Sequence, residues 1–458
     1  MINKDLAAFE QLAQRLIQAE NENPVVRPVP PAEVMDKLQL ELDEKGLDEA
    51  SWQAQLEELM LHTPRTATRG FFNQLFGGRH GKALVGELLS VLLNNSMYTY
   101  KAGGPMIGVE KELLQQSARL VGYDPSHAQG MMAPGGSMTN LMALLMARDA
   151  YQESIPQEGV NRKMTLYTST ESHYSVPKNA AFAGVGRQQL RYIATNHRGE
   201  MDATALSEQI KKDRAEGFAP FLINATAGTT VLGAFDPLNE LADVAEAENM
   251  WLHVDGAYCG AVIFSDKLRY LVQGAERADS FSYNAHKMLS VPLSASLIVT
   301  RHPRQLYDTF ANDAEYLYQT DSEGWNPGKL SMQCGRRNDA LKLWSLWKAL
   351  GREGLGGMVE HQFHLADVAR NYVENNADYT LYSFAPSVGI CFNYKDIPAE
   401  RLCNGLYEAG ELMVGYGQFR DDVFVRLVTV NAGNSEADIH HFFQKLEAYA
   451  EKELLAPH

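Results

Sequence analysis

The sequence predicts an α/β protein in which helices cover a mostly parallel central sheet, followed by a small C-terminal α+β domain. Three observations predict it. Between about residues 84 and 351, helical patterns alternate with short apolar runs at 165–170, 220–225, 250–255, 280–284 and 294–300. Several of these runs end in small or polar residues, and ligands in open α/β sheets collect beyond the carboxyl ends of strands. From about residue 355 the pattern changes to one helix, apolar runs at 379–384, 388–394 and 423–430, and a final helix.

Taken in order, Leu6, Phe9, Leu12, Ala13, Leu16 and Ile17 form one apolar stripe on a polar helix, which must pack on something. The proline-rich residues 23–31 end that helix and read as a linker arm. Ser435 with Asp438 three positions on forms an N-terminal capping signature for a last helix over 436–455. The expected organisation is an N-terminal helical and extended segment (1–83), a large α/β domain (84–351) and a small C-terminal domain (352–458).

The chain has 458 residues, 45% hydrophobic and 21% charged, with a formal net charge of -16. That field repels phosphate backbones and anionic membranes, so neither nucleic acid nor a membrane is an expected partner. No stretch has the apolar length of a membrane span, and the first residues lack the apolar core of a secretion signal, so a cytoplasmic location is expected. Cys259, Cys334, Cys391 and Cys403 lack the spacing of a zinc site or redox pair and read as reduced, mostly packed thiols; no metal is expected.

Four features carry chemistry. Pro134-Gly135-Gly136-Ser137-Met138-Thr139-Asn140 leads into a helical pattern, and a helix start opened by glycines suits a phosphate. The strand Met250-Trp251-Leu252-His253-Val254-Asp255 ends in a carboxylate able to hold a cationic ring nitrogen, and Gly256 and Ala257 leave room for a flat ring. The strand Ser280-Phe281-Ser282-Tyr283-Asn284 runs through Ala285 and His286 to Lys287, a setting that favours a nucleophilic amine. Thr226-Ala227-Gly228-Thr229-Thr230 brings hydroxyls to a neighbouring strand end, and His173 brings a flat ring to another. Together these are the parts of a pyridoxal 5'-phosphate site.

With these motifs in view, about residues 71–445 resemble the group II pyridoxal-phosphate-dependent amino-acid decarboxylases. These have the fold type I, aspartate-aminotransferase-like architecture. Within them the chain resembles the glutamate, cysteine sulfinate and aspartate decarboxylase branch. The resemblance also rests on Phe71-Phe72-Asn73-Gln74-Leu75, Gly233-Ala234-Phe235-Asp236-Pro237, Gln333-Cys334-Gly335-Arg336 and Lys342-Leu343-Trp344. It implies that Lys287 is the Schiff-base lysine, that Asp255 pairs with the pyridinium nitrogen, and that His173 stacks on the ring face opposite Ala257. By the same resemblance Gly136, Ser137 and Asn284 hold the phosphate, His286 and Thr226 shape the site, and Arg426 grips the substrate carboxylate. It further implies a homodimer with shared active sites, in which Tyr316 of a loop donates a proton across the interface.

An acidic substrate is expected, with cysteine sulfinate or aspartate ahead of glutamate, because Asn73 and Gln74 can donate hydrogen bonds to a distal acidic group. Diaminobutyrate and aromatic amino acids remain alternatives, as do a transaminase or lyase reaction and a non-catalytic binding protein on the same scaffold. Two segments depart from the family pattern. Where the branch reads Tyr-Glu-Ile-Ala-Pro, this chain has Tyr100-Lys101-Ala102-Gly103-Gly104-Pro105, a charge reversal at the expected substrate mouth. Asn326-Pro327-Gly328-Lys329 replaces an Asp-Thr-Gly-Asp-like run.

Overall fold

The computed structural model describes residues 2–22, 24–312, 324–431 and 433–454. They form two compact units. One comprises Arg79–Phe363 with Phe384–Ser387; the other comprises Met1–Gly78, His364–Ser383 and Val388–His458.

The first unit holds a seven-stranded sheet of β1 (Gln129–Ala133), β2 (Met164–Ser169), β3 (Leu190–Ile193), β4 (Ala219–Thr226), β5 (Trp251–Gly256), β6 (Ser280–Asn284) and β7 (Ser296–Thr300). Their order across the sheet is β1-β7-β6-β5-β4-β2-β3. The pairs β2–β3, β2–β4, β4–β5 and β5–β6 are parallel. Only β7 runs against its neighbours β1 and β6. Residues 285–295, which join β6 to β7, are too few for a helical crossover of a dozen or more residues.

The five apolar runs of the sequence reading become β2, β4, β5, β6 and β7. β1 and β3 carried no such signal. The Gln-Gly-Met-Met-Ala of β1 has no β-branched residue, and edge strand β3 has only four residues, with buried Leu190 and Ile193 flanking two more exposed positions. The helix Gly136–Tyr151 packs along the sheet through Met142, Leu144 and Met146, which join Leu166, Phe221 and Ile298 in one buried cluster. Its first turn is thereby fixed at the carboxyl ends of the strands.

The second unit holds an antiparallel sheet of β8 (Tyr379–Leu381), β9 (Gly389–Tyr394), β10 (Gly415–Phe419) and β11 (Asp422–Val428), ordered β10-β11-β9-β8. Phe392, Phe442 and Phe443 centre its core, which also takes in Phe72 from the N-terminal segment. The expected cap of the last helix is present: the Ser435 N–H donates to Asp438 Oδ2 at 2.7 Å. The helix Ile2–Glu20 packs on Glu49–His62. The proline-rich stretch corrects its reading as a linker arm, because Val25 and Val26 are buried and Val25 exchanges backbone hydrogen bonds with Gly410 and Arg65. Among the described residues no helix is long and apolar enough to cross a membrane.

Candidate active site

Parallel pairing brings the ends of β4, β5 and β6 level, so that Thr226 pairs with Asp255 and Asp255 with Ser282. Asp255 is buried, 4% exposed. Each of its oxygens has its own donor: the Ala257 N–H to Oδ1 at 3.0 Å and Asn140 Nδ2 to Oδ2 at 2.6 Å. The end of β4 is braced by Asp236, whose carboxylate accepts the N–H groups of Thr226 and Met201 at 2.8 and 2.7 Å. Burial pushes the Asp236 carboxyl up to about 7.

The start of helix Gly136–Tyr151 lies against the same edge. A Cβ on Gly136 would stand 2.9 Å from Asn284 Nδ2 and 3.0 Å from the Ala257 Cβ, so only glycine lets the backbone approach this closely. Ser137 is exposed, and its carbonyl accepts from Asn179 Nδ2 at 2.9 Å. The first-turn amides of Gly136 and Ser137 precede the helix's own hydrogen-bond ladder and are suited to an anion.

Lys287 follows the end of β6 and is half-buried, with Nζ 5.9 Å from the centre of the Tyr258 ring. Beside it His286 is buried, and Ala295 N–H donates to its Nδ1 at 2.9 Å; burial pushes this imidazole down to about 4. His173 is half-buried after β2, with Nδ1 2.8 Å from Ser175 Oγ. Burial lowers its pKa, partly offset by the charge of Asp255. Cys259 is a buried thiol whose titration burial pushes upward, so it is an inert packing group; a Cβ on Gly228 would collide with it. Cys391 and Cys403 are buried likewise, and Cys334 is exposed.

In the other unit, Arg426 of β11 is half-buried and its Nη2 donates to the Asn73 carbonyl at 3.0 Å. Gly415 pairs with Arg426 across β10 and β11, and a Cβ there would strike Asn73 Oδ1 at 2.3 Å. Asn73 and Arg426 are therefore neighbours, while Gln74 is exposed. Tyr100 and Lys101 lie on the short helix Tyr100–Gly103, both exposed. The Tyr100 ring meets Trp325 edge-on at 5.5 Å, its N–H donates to Asn326 Oδ1 at 3.2 Å, and the Gly328 N–H donates to the Tyr98 carbonyl at 2.8 Å. The two segments that depart from the family pattern are thus in contact with each other. Tyr316 lies outside the described residues.

Pyridoxal phosphate fits these residues on an independent observation. Thr226 Oγ1 and Ser282 Oγ, hydroxyls able to donate to a ligand, are buried with no hydrogen-bond partner among the described residues. Each such atom costs about 1–3 kcal/mol unless a ligand satisfies it. Thr226 closes β4 and Ser282 lies within β6, and both pair with Asp255, the buried carboxylate between them. Among the described residues no three metal-ligating side chains converge.

An α/β sheet with its polar edge built this way defines a protein class suited to holding a phosphorylated cofactor. Comparison with known proteins narrows the class. The chain belongs to the pyridoxal-dependent decarboxylase family, whose conserved domain matches residues 31–395, and it is an amino-acid decarboxylase with pyridoxal phosphate as cofactor. It is 34% identical over 441 residues to the cysteine sulfinic acid decarboxylase of Rattus norvegicus, covering 91% of this chain and 89% of that one. It is 33% identical over 442 residues to the acidic amino acid decarboxylase GADL1 of Homo sapiens, covering 91% and 84%. The crystal structure of mouse CSAD superposes with a TM-score of 0.91 at 32% identity, covering 96% of this chain and 98% of that one.

Sequence reasoning gave no role to Asn140, Ser175 or Asp236. Asn140 and Asp236 sit inside motifs quoted for other reasons, and what they touch depends on how a helix and a loop dock on the sheet. Their partners lie 115 residues away for Asn140 with Asp255, and 35 for Asp236 with Met201.

Proposed function

We propose that this chain decarboxylates an acidic amino acid, with cysteine sulfinate or aspartate favoured over glutamate. The observation that carries the reading is its similarity, along nine-tenths of its length, to decarboxylases named for cysteine sulfinic acid and acidic amino acids. The pairing of Asn73 with Arg426 supports it, since an amide beside a guanidinium suits a substrate with two acidic groups.

When bound, pyridoxal phosphate supplies an aldehyde that captures amines and a protonated ring that accepts the electron pair released with carbon dioxide. In this proposal Gly136, Ser137 and Asn284 hold its phosphate, Thr226 and His286 shape its bed, and His173 and Ala257 border the ring. Asp255 keeps a proton at the ring nitrogen. Lys287 would supply the amine that holds the cofactor's aldehyde. Arg426 would hold and orient the substrate carboxylate, an orientation effect worth several kcal/mol. Tyr316 then delivers the proton to Cα, while Asn73 and Gln74 read the distal acidic group, with Tyr100 and Lys101 at its mouth.

A homodimer and a cytoplasmic location belong to the same proposal. The helix Gly81–Leu93 supports the first: its small Ala83, Gly86 and Ser90 are buried, whereas Val85, Leu89 and Leu92 are exposed. The test is a kcat/KM comparison of cysteine sulfinate, aspartate, glutamate, diaminobutyrate and tyrosine, reading both carbon dioxide and amine. A cationic or aromatic winner rejects the acidic substrate, and no amine from any of them rejects the reaction.

A further inference from the structure

Five side chains from β5, β6 and the helix Gly136–Tyr151 form a hydrogen-bonded chain that ends on Asp255. Trp251 Nε1 donates to Ser280 Oγ at 2.9 Å, and Ser280 Oγ lies 2.9 Å from His253 Nδ1. His253 Nε2 lies 3.2 Å from Asn140 Oδ1, and Asn140 Nδ2 donates to Asp255 Oδ2 at 2.6 Å. All five residues are buried, His253 and Ser280 completely.

The direction of every bond follows from the inventory of donors and acceptors. Indole N–H is only a donor, so it takes a lone pair of Ser280. Burial pushes the His253 imidazole down to about 4, so at neutral pH it carries one ring proton. With the amide nitrogen of Asn140 turned to Asp255, its oxygen faces His253, and that ring proton must be on Nε2. His253 Nδ1 is then an acceptor, filled by the Ser280 hydroxyl. The chain runs from Trp251 through Ser280, His253 and Asn140, and it meets Asp255 Oδ2 with a donor. That suits a carboxylate and not a carboxylic acid proton at this oxygen.

Asn140 also has a second branch. Its Nδ2 reaches Ser175 Oγ at 3.4 Å, and Ser175 in turn contacts His173 Nδ1 with its hydroxyl at 2.8 Å and its N–H at 3.2 Å. Because the backbone N–H is a donor, His173 Nδ1 accepts, and its remaining proton is on Nε2. One amide therefore joins the side chains proposed to meet the ring nitrogen and the ring face, and it does so from the helix that begins at Gly136.

We infer that Asn140 is a positioning residue that sets Asp255 and His173 together, and that His253 orients Asn140 for this task through its Nε2 proton. The inference rests on the cofactor site proposed above. A residue that merely filled space would be replaceable by one of equal size. Asn140 is instead required for the direction of its bonds.

The experiment is nitrogen-15 NMR of the holoenzyme carrying ring-labelled pyridoxal phosphate, in wild type and in Asn140→Leu, His253→Leu and His253→Gln. In Asn140→Leu the ring resonance should move toward the unprotonated position, with kcat falling about tenfold or more at little-changed KM. His253→Leu should move the resonance the same way by less, and His253→Gln should recover most of the shift, because its side-chain amide restores a donor to Asn140. Should Asn140→Leu fail to fold, the two His253 variants still isolate the single donor. An unmoved resonance in Asn140→Leu, or equal resonances in His253→Gln and His253→Leu, overturns the inference. A wild type that binds no labelled cofactor overturns the site reading itself.

Discussion

Arg336 and Glu110 form an ion pair inside the larger unit, with both residues under 5% exposed. Arg336 Nη1 also donates to the Met97 carbonyl at 2.8 Å and Nη2 to the Met132 carbonyl at 3.2 Å, while the Met132 N–H reaches Glu110 at 3.4 Å. One guanidinium thus ties the helix Pro105–Val121, strand β1 and the chain before Ala340 into one block. Within the Gln-Cys-Gly-Arg motif, Arg336 is accordingly a brace for the sheet edge.

Removing one partner of a buried pair strands the other, at about 3–5 kcal/mol, whereas replacing both by apolar groups costs far less. Arg336→Met should lower the urea stability by about that amount, and Arg336→Met with Glu110→Leu should recover much of it. A single variant within ~1 kcal/mol of wild type would show that water or a shifted neighbour already compensates Glu110.

The legible part of this protein was the part written locally. Strands β5 and β6, with Asp255 and Lys287 at or just past their ends, announce themselves by an apolar run that stops at a polar residue, and Gly135-Gly136 announces a helix start. Strand β10 (Gly-Tyr-Gly-Gln-Phe) does not, because its Gly415 serves a close approach of Asn73 and Arg426 that exists only after folding. The same holds for Val25 and Val26, hidden among prolines, and for the contact of Tyr100 with Asn326, separated by 226 positions. Docking of distant segments, rather than any residue's own propensity, decides these features.

Lys287→Ala should abolish turnover while leaving a folded protein that still binds pyridoxal phosphate without a covalent bond, since the atoms of Thr226, Ser282 and Asn284 and the Gly136 approach are untouched. Borohydride reduction of the wild-type holoenzyme followed by peptide mass spectrometry should mark this residue. A mark on a different lysine, or turnover persisting in the variant, removes Lys287 from its role.

His253 supplies a pH dependence with a definite sign. Its folded pKa is near 4 against an unfolded value of about 6.5, so the unfolded chain binds the extra proton first as pH falls. Stability is unaffected above about pH 6.5, declines from there toward pH 4, and declines no further on this account below that; the full loss is about 3 kcal/mol. His286 acts in the same direction. Asp236 acts oppositely, since a carboxyl pushed up to about 7 favours the folded state at the acid end. Comparing wild type with His253→Gln cancels both: between pH 6.5 and 4 the variant should lose less stability by up to that amount. Parallel urea midpoints across this range would mean that His253 gains its proton without opposing the fold.

The last prediction concerns the homodimer. On the helix Gly81–Leu93, a Cβ at Gly86 would stand 2.7 Å from Leu341 O and Lys342 Cα, so the small side of the helix is locked inward by close backbone packing. Val85, Leu89 and Leu92, spaced four and three residues apart, then share the outward side, 54%, 47% and 56% exposed, with Val91 and Leu93 beside them. Leu6, Phe9 and Ile17 of the helix Ile2–Glu20 are exposed as well. Burying a Leu or Val fully yields about 1.5–3 kcal/mol, and an outward row of them is what a subunit interface uses and a monomer's solvent face avoids. Leu89→Asp with Leu92→Asp should therefore yield monomers by analytical ultracentrifugation at concentrations where wild type is a dimer. If Tyr316 acts across the interface, the monomers should lose turnover, and mixing Lys287→Ala chains with Tyr316→Phe chains should restore part of it in exchanged heterodimers. A charged variant that sediments as wild type does would move the interface elsewhere on the surface, and heterodimers without activity would confine Tyr316 to its own subunit's site.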